Sequence, residues 1–344
     1  MRKLGIAIDD IFKMHDNGYG HPESPDRIRV INDMLINTGL MNKVELIEPF
    51  DALKEHISLV HEARHFDLIE STRGKERVYL DADTSTSPKS FEAAIRAAGG
   101  MIKSIDLVMN NDLEAAFPLV RPPGHHAEKD RAMGFCLFNN IAVGAAHLIN
   151  NYDVNRILIV DWDLHHGNGT QHMFYDTDKV FYISTHQFPY YPGTGAANEI
   201  GIGEGEGFTL NIPMNPGMGD QEYIKIFFEL LKPVIDQYTP KIILVSAGFD
   251  THIADPLGGM AVTPKGFQNM TKLLNELADE HCGGKIIYIL EGGYNLEGLW
   301  HSVYAVIQEL LMQNNTDYLD YSNTTKVDQL INGIMEINSK YWKF

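Results

Sequence analysis

Seven short apolar runs punctuate the chain: Leu4–Ile8, Val44–Ile47, Ala115–Val120, Ile157–Val160, Val180–Ser184, Ile242–Ser246 and Ile286–Leu290. Several are apolar at every position, as strands covered on both faces of a sheet must be. Helical spacing fills the intervals. Ile28, Ile31 and Leu35 follow Ser24-Pro25 and stop at Gly39; Phe91, Ile95, Ala98, Ile102 and Ile105 follow Ser87-Pro88; Met270, Leu273, Leu274 and Leu277 run from Thr263-Pro264 to Gly283. Proline suits a first helical turn, whose N–H groups have no partner, and glycine suits the left-handed residue that ends a helix. Strand and helix therefore alternate, which predicts an α/β fold with a largely parallel sheet and right-handed crossovers. No Pro/Ser linker, repeat or low-complexity tract interrupts the pattern, so a single domain is expected over residues 1–344. Its core should span about 3–312, with a helical cap at about 313–344, where the chain turns polar and less periodic. The Gly-rich stretch Gly193–Gly207 reads as a long functional loop.

Composition narrows the partners. With 44% hydrophobic residues the 344-residue chain is globular, and its net charge of −18 offers no clustered Lys/Arg for nucleic acid or an anionic membrane. A cationic substrate is more compatible. Cys136 and Cys282 are the two cysteines, too few for a disulfide framework or a Cys-based zinc site. The apolar start is ended early by Asp9 and Asp10, and no window approaches a span of about 20 apolar residues, so a cytoplasmic protein is expected.

In open α/β sheets ligands bind beyond the carboxyl ends of the strands. Those positions are rich in ligand-type side chains here: Arg121-Pro-Pro-Gly-His125-His126, Asp161-Trp-Asp163-Leu-His165-His166-Gly-Asn168-Gly, Ala247-Gly-Phe-Asp250 and Glu291-Gly-Gly-Tyr294. Asp163 and His165 are two apart and project to the same side of an extended backbone. With Asp250 they would form a set of two carboxylates and one imidazole that leaves open positions on a divalent ion, the arrangement of a catalytic site. With 15 His in the chain a His-His dipeptide is expected by chance. Two such pairs, each directly after a buried run, point to a site when combined with a third run ending in Asp. His125 and His126 are candidate bases, Asp161 a carboxylate that orients one of them, and the Gly-Gly turn before Tyr294 could bring a phenol over the site.

Taken in order, Arg121-Pro-Pro-Gly-His-His126, Gly134-Phe-Cys136 with Phe138-Asn-Asn140, Asp161 to Gln171, Tyr191-Pro-Gly-Thr-Gly195, Ser246 to Asp250, Asp255-Pro-Leu-Gly258 and Glu291 to Tyr294 resemble the motifs of zinc-dependent histone deacetylases and their bacterial relatives. The resemblance begins at His21 and implies the arginase/deacetylase fold, a three-layer α/β domain with an eight-stranded, mainly parallel sheet. It implies one catalytic zinc, or iron(II), held by Asp163, His165 and Asp250; His126 as general base and then acid; His125 with Asp161 as electrostatic support; and Tyr294 as donor to the oxyanion. It further implies a substrate tunnel walled by Gly134, Phe135 and Tyr191 with Leu257 at its gate. One structural potassium ion is implied around Asp161, Asp163, His165, Ser184 and Thr185, and a second near Phe174, Thr177 and Val180. Arg27 resembles an arginine of the family's interior channel, and a salt-bridge role for it stays open.

Asn168 stands where class I enzymes carry Asp, so the chain resembles the class II group. An Asn partner should leave the neighbouring imidazole without a carboxylate and its pKa less raised. Two substrates compete, N-acetyllysine on a protein or peptide and acetylated polyamines. In the class II polyamine deacetylase the gate is Glu; here it is the neutral Leu257, which leans toward acetyllysine, whereas the charge of −18 would attract a polycation. A binuclear manganese ureohydrolase and an inactive binding module are the more distant readings, and homo-oligomerisation is left open.

Overall fold

The computed structural model describes residues 2–312 and 317–344, so residues 313–316 of the expected cap lie outside the described residues. Ten strands are formed: β1 Leu4–Ala7, β2 Glu45–Ile47, β3 Val78–Tyr79, β4 Ser85–Thr86, β5 Ala115–Pro118, β6 Ile157–Asp161, β7 Val180–Gln187, β8 Thr209–Met214, β9 Ile242–Ala247 and β10 Ile286–Leu290. Eight of them make one sheet in the order β2-β1-β5-β10-β9-β6-β7-β8, and β3 and β4 form a separate antiparallel ribbon. Every pairing in the large sheet is parallel.

All seven apolar runs are strands. Those at the centre are fully buried because helices cover both faces: Ser90–Met109 packs on Asn140–Tyr152, while Asp26–Asn37 and Pro264–Cys282 both pack on Leu296–Met312. Thr263 caps the N-terminus of its helix by accepting from Lys265 N, and Gly283 ends it at φ 59. The eighth strand, β8, reads poorly in sequence because Asn211 and Pro213 interrupt it. It is an edge strand, where a proline with no N–H to donate is tolerated. β7 extends past its apolar run through Thr185, His186 and Gln187, which are polar yet buried.

The sheet order does what the chain order cannot. β5, β10, β9 and β6 are neighbours at the centre of the sheet, so the four candidate strand ends stand side by side. Asp161 lies level with Ser246, and Leu290 with Ala247, so those ends are flush. The C-terminal segment forms a helix, Asp328–Asn338, and its Trp342 stacks on Phe181 at 5.1 Å and donates from Nε1 to Gly207 O at 2.7 Å. Among the described residues no helix is long and apolar enough to cross a membrane.

Candidate active site

Asp163, His165 and Asp250 are buried and each offers one ligand atom within 4.8 Å of the others. His165 Nδ1 lies 3.0 Å from Asp250 Oδ2 and 3.3 Å from Asp163 Oδ1. Backbone N–H groups hold the carboxylates: Gly292 N donates to Asp163 Oδ2 at 2.8 Å, and Leu164 N to Asp250 Oδ1 at 2.9 Å. Gly292 is required by space, since a Cβ there would sit 2.7 Å from Asp163 Oδ2. Two oxygens and one imidazole nitrogen converging in this way fit a divalent ion that prefers mixed N/O donors, zinc or iron(II).

The adjacent imidazoles of His125 and His126 lie 4.0 Å apart, centroid to centroid, in opposite environments. Burial pushes His125 down, but Asp163 and Asp161 outweigh it and hold it up at about 10; its Nδ1 is 3.0 Å from Asp161 Oδ2. His126 has no carboxylate in contact. Burial, with the charges of His125 and His165, holds it well below the usual histidine range, and its Nδ1 meets Asn168 Oδ1 at 2.7 Å. Neighbouring titratable groups whose environments drive them apart mark acid and base assignments. Behind them Glu291, pushed up to about 7 by burial, accepts from Gly124 N at 2.6 Å and His125 N at 3.2 Å.

A cavity of about 80 Å³ opens over this centre, lined by Asp83, His126, Gly134, Phe135, His165, Tyr191, Leu257 and Tyr294. The four residues expected to form the tunnel all line it. Phe135 and Tyr294 meet edge to face at 5.9 Å, and Tyr191 meets His126 at 5.1 Å. Phe135 adopts φ 68, a left-handed conformation costly for a side chain with a Cβ, and Thr84 Oγ1 helps to hold it by accepting from Phe135 N at 3.0 Å. Asp255 Oδ2 accepts from Tyr294 N at 2.6 Å and Asn295 N at 3.0 Å, while Oδ1 accepts from Leu257 N at 3.0 Å, joining the two loops that carry the phenol and the gate. Burial, together with the charge of Asp250, raises the Tyr294 phenol well above its usual value, so it stays an O–H donor.

Arg27 is fully buried: its Nε donates to Gly293 O at 2.6 Å, Nη1 pairs with Glu23 Oε1 at 3.1 Å, and the guanidinium lies 5.1 Å from the Tyr294 ring. Of the residues expected around potassium, Ser184 is level with Asp161 and Thr185 Oγ1 is buried without a hydrogen-bond partner in the structure. Phe174, Thr177 and Val180 are not brought to the cavity; Phe174 lines a separate hollow with Ser58 and His61.

Sequence reading missed three residues. Asp83, from the loop between β3 and β4, is the charged side chain on the cavity wall apart from the histidines, and nothing in its flanks marked it. Tyr190 stacks on His165 at 5.6 Å and donates to Leu257 O at 2.8 Å, bridging two rim loops. Glu128 is the third: Asn168 Nδ2 donates to its Oε1 at 2.5 Å, so a carboxylate lies one amide removed from His126, while His126 itself meets the Asn168 amide rather than a carboxylate, as expected, and is held low.

A central parallel sheet with a two-carboxylate, one-imidazole cluster at its strand ends defines an α/β protein whose buried donors could hold a divalent ion over a narrow cavity. Residues 21–310 match the histone deacetylase domain, and the chain belongs to that family. A probable deacetylase of Archaeoglobus fulgidus is 37% identical over 98% of this chain and 98% of its own length. Histone deacetylase 5 of Arabidopsis thaliana is 41% identical over 96% of this chain and 53% of its own, and the human polyamine deacetylase HDAC10 is 38% identical over 84% and 44%. This chain thus spans nearly all of the archaeal relative and about half the length of the eukaryotic ones. The crystal structure of the HDA15 HD domain superposes with a TM-score of 0.92 at 37% identity, covering 99% of this chain and 95% of that one.

Proposed function

We propose that the chain hydrolyses acetyl amides on cationic stems, with the ε-acetyllysine of a protein or peptide as substrate. The observation that carries this reading is the narrow cavity whose walls, Phe135, Tyr191 and Leu257, are largely apolar and whose floor presents His126, His165 and Tyr294. A methylene stem fits such walls, and the acetyl carbonyl then reaches the floor. A divalent ion, zinc or iron(II), held by Asp163, His165 and Asp250 would supply polarisation of that carbonyl and acidification of a water. His126, neutral through burial, accepts the water's proton as oxygen adds to the carbonyl carbon. The Tyr294 O–H donates to the oxyanion, where charge develops only in the transition state. His126 then returns the proton to the amine as the C–N bond breaks, leaving acetate and a free amine. His125, kept cationic by Asp161 and Asp163, stabilises negative charge throughout. Potassium beside Asp161, Asp163, His165, Ser184 and Thr185 would be structural, and the unpartnered Thr185 Oγ1 fits an oxygen-ligated cation there.

Asp83 favours a second reading, an acetylated polyamine, because a carboxylate on the wall can meet a second ammonium as readily as a peptide N–H. The deciding experiment compares turnover of an acetyllysine peptide with N-acetylputrescine and N-acetylspermidine by metal-replete protein, with a hydroxamate as control. Peptide preference, with Leu257 as a neutral gate, is expected. Polyamine preference that Asp83→Asn abolishes would overturn the choice of substrate.

A further inference from the structure

His126 stands at the head of a hydrogen-bonded chain that leaves the cavity. Its Nδ1 lies 2.7 Å from Asn168 Oδ1; Asn168 Nδ2 lies 2.5 Å from Glu128 Oε1 and 3.3 Å from His126 O; Glu128 Oε1 also lies 2.8 Å from His172 Nδ1. The Glu128 side chain is 12% exposed and that of His172 43%, so the chain runs from the cavity toward solvent. Burial raises the Glu128 carboxyl, but the hydrogen bonds from His172 and Asn168 outweigh it and hold it below its usual value. The residue is fixed at the backbone as well: its N–H donates to Arg131 O at 2.9 Å, and its carbonyl accepts from His61 Nδ1 at 2.8 Å.

Donor chemistry then leaves one arrangement. An ionised carboxylate only accepts, so the end of the Asn168 amide that faces Glu128 must be the NH₂ group. The carbonyl end therefore faces His126, and because a carbonyl also only accepts, Nδ1 of His126 must carry the proton. Its other nitrogen, Nε2, is left with the free lone pair. An amide is nearly symmetric in shape, so without the carboxylate the longer contact of Nδ2 with His126 O, at 3.3 Å, is left as the main opposition to an end-over-end turn. Turned, Asn168 would donate to Nδ1, the proton would move to Nε2, and a donor would stand where a base is needed.

We propose that Glu128 is a positioning residue that sets the tautomer of His126 through the Asn168 amide. The catalytic consequence rests on the deacetylase reading above; the tautomer itself does not. Glu128→Gln is expected to lower kcat by about tenfold to a hundredfold, part of the contribution of a general base, with KM changed less than about twofold. Asn168→Asp tests the route. In the wild-type background it sets two carboxylates against each other and should lower kcat. In the Glu128→Gln background the carboxylate that Asn168→Asp introduces accepts directly from Nδ1, needs no orienting partner, and should restore kcat at least about tenfold over Glu128→Gln alone. A double variant no better than Glu128→Gln overturns the proposal, because a loop-holding role for Glu128 would not be relieved at position 168. Nitrogen-15 NMR of histidine-labelled protein, with His126 assigned by difference from His126→Gln, should show the Nδ1–H form in wild type and a shift toward Nε2–H in Glu128→Gln. An unchanged tautomer overturns the proposal whatever the kinetics. If wild type hydrolyses no acetyl amide, the deacetylase reading falls and the NMR result alone decides for Glu128.

Discussion

Under the proposed function, single side chains divide into those that hold and those that react. Asp250 lends Oδ2 to the ligand cluster and Oδ1 to Leu164 N, so Asp250→Ala should lose bound metal, measured by elemental analysis, and turnover together. Tyr294 is not in the ligand cluster, and its phenol is kept protonated by burial. Tyr294→Phe should therefore retain one metal per chain while kcat falls by about a hundredfold to a thousandfold, the loss of an oxyanion donor. Near-wild-type turnover in that variant would remove Tyr294 from the mechanism. The His and Asp residues of the site were legible because they directly follow buried apolar runs, where polar side chains need a reason. Glu128 and Asp83 were not, since an acidic residue in a polar loop looks like any solvated one until its neighbours are known.

The elements matter through their ends. Each central strand gives way at its carboxyl end to a loop that carries residues of the site, and glycine at 292 leaves the room that Asp163 and Asp250 need. Gly292→Ala would thrust a methyl group against Asp163 Oδ2 and crowd Asp250 as well. We expect metal affinity, read by competition with a chromogenic chelator, to fall at least about tenfold, with a lower melting temperature. Unaltered affinity would mean that the loop yields and that Gly292 is not a constraint on the cluster. Helices with a Pro start and a Gly stop were readable with nearly their true bounds, as Pro264–Cys282 shows. β8 was not: its Asn and Pro weaken the local signal, and it is a strand only because β7 offers it an edge.

The molecule as a whole answers to pH through histidines away from the cavity. His15 is held near 4 by burial against the attraction of Glu23, and His61 near 3 by burial and its neighbour His65. His61 must be neutral, since its Nε2 accepts from Asn139 N at 2.9 Å while Nδ1 donates to Glu128 O. The unfolded chain takes up these protons below about 6.5, whereas the folded one does so only near 4 or 3. Their contribution is complete above pH 6.5 and is lost as pH falls toward 4, by up to about 3 kcal/mol for each imidazole. Urea unfolding should show stability dropping between pH 7 and 5, and the drop should shrink in His61→Gln; an equal drop in both would rule His61 out. Sequence alone determined the alternation of elements, the seven apolar runs that become strands and the chemistry at their ends, because periodicity and patterning are local consequences of composition. Tertiary structure decided which ends meet. β5 and β6 are consecutive in the large sheet's chain order, yet β10 and β9 lie between them, and only that insertion brings Asp250 and Tyr294 beside Asp163 and His126. The same packing set Asn168, the first residue of the helix Asn168–Phe174, between a histidine and a glutamate of a distant loop, a relation that no local pattern encodes.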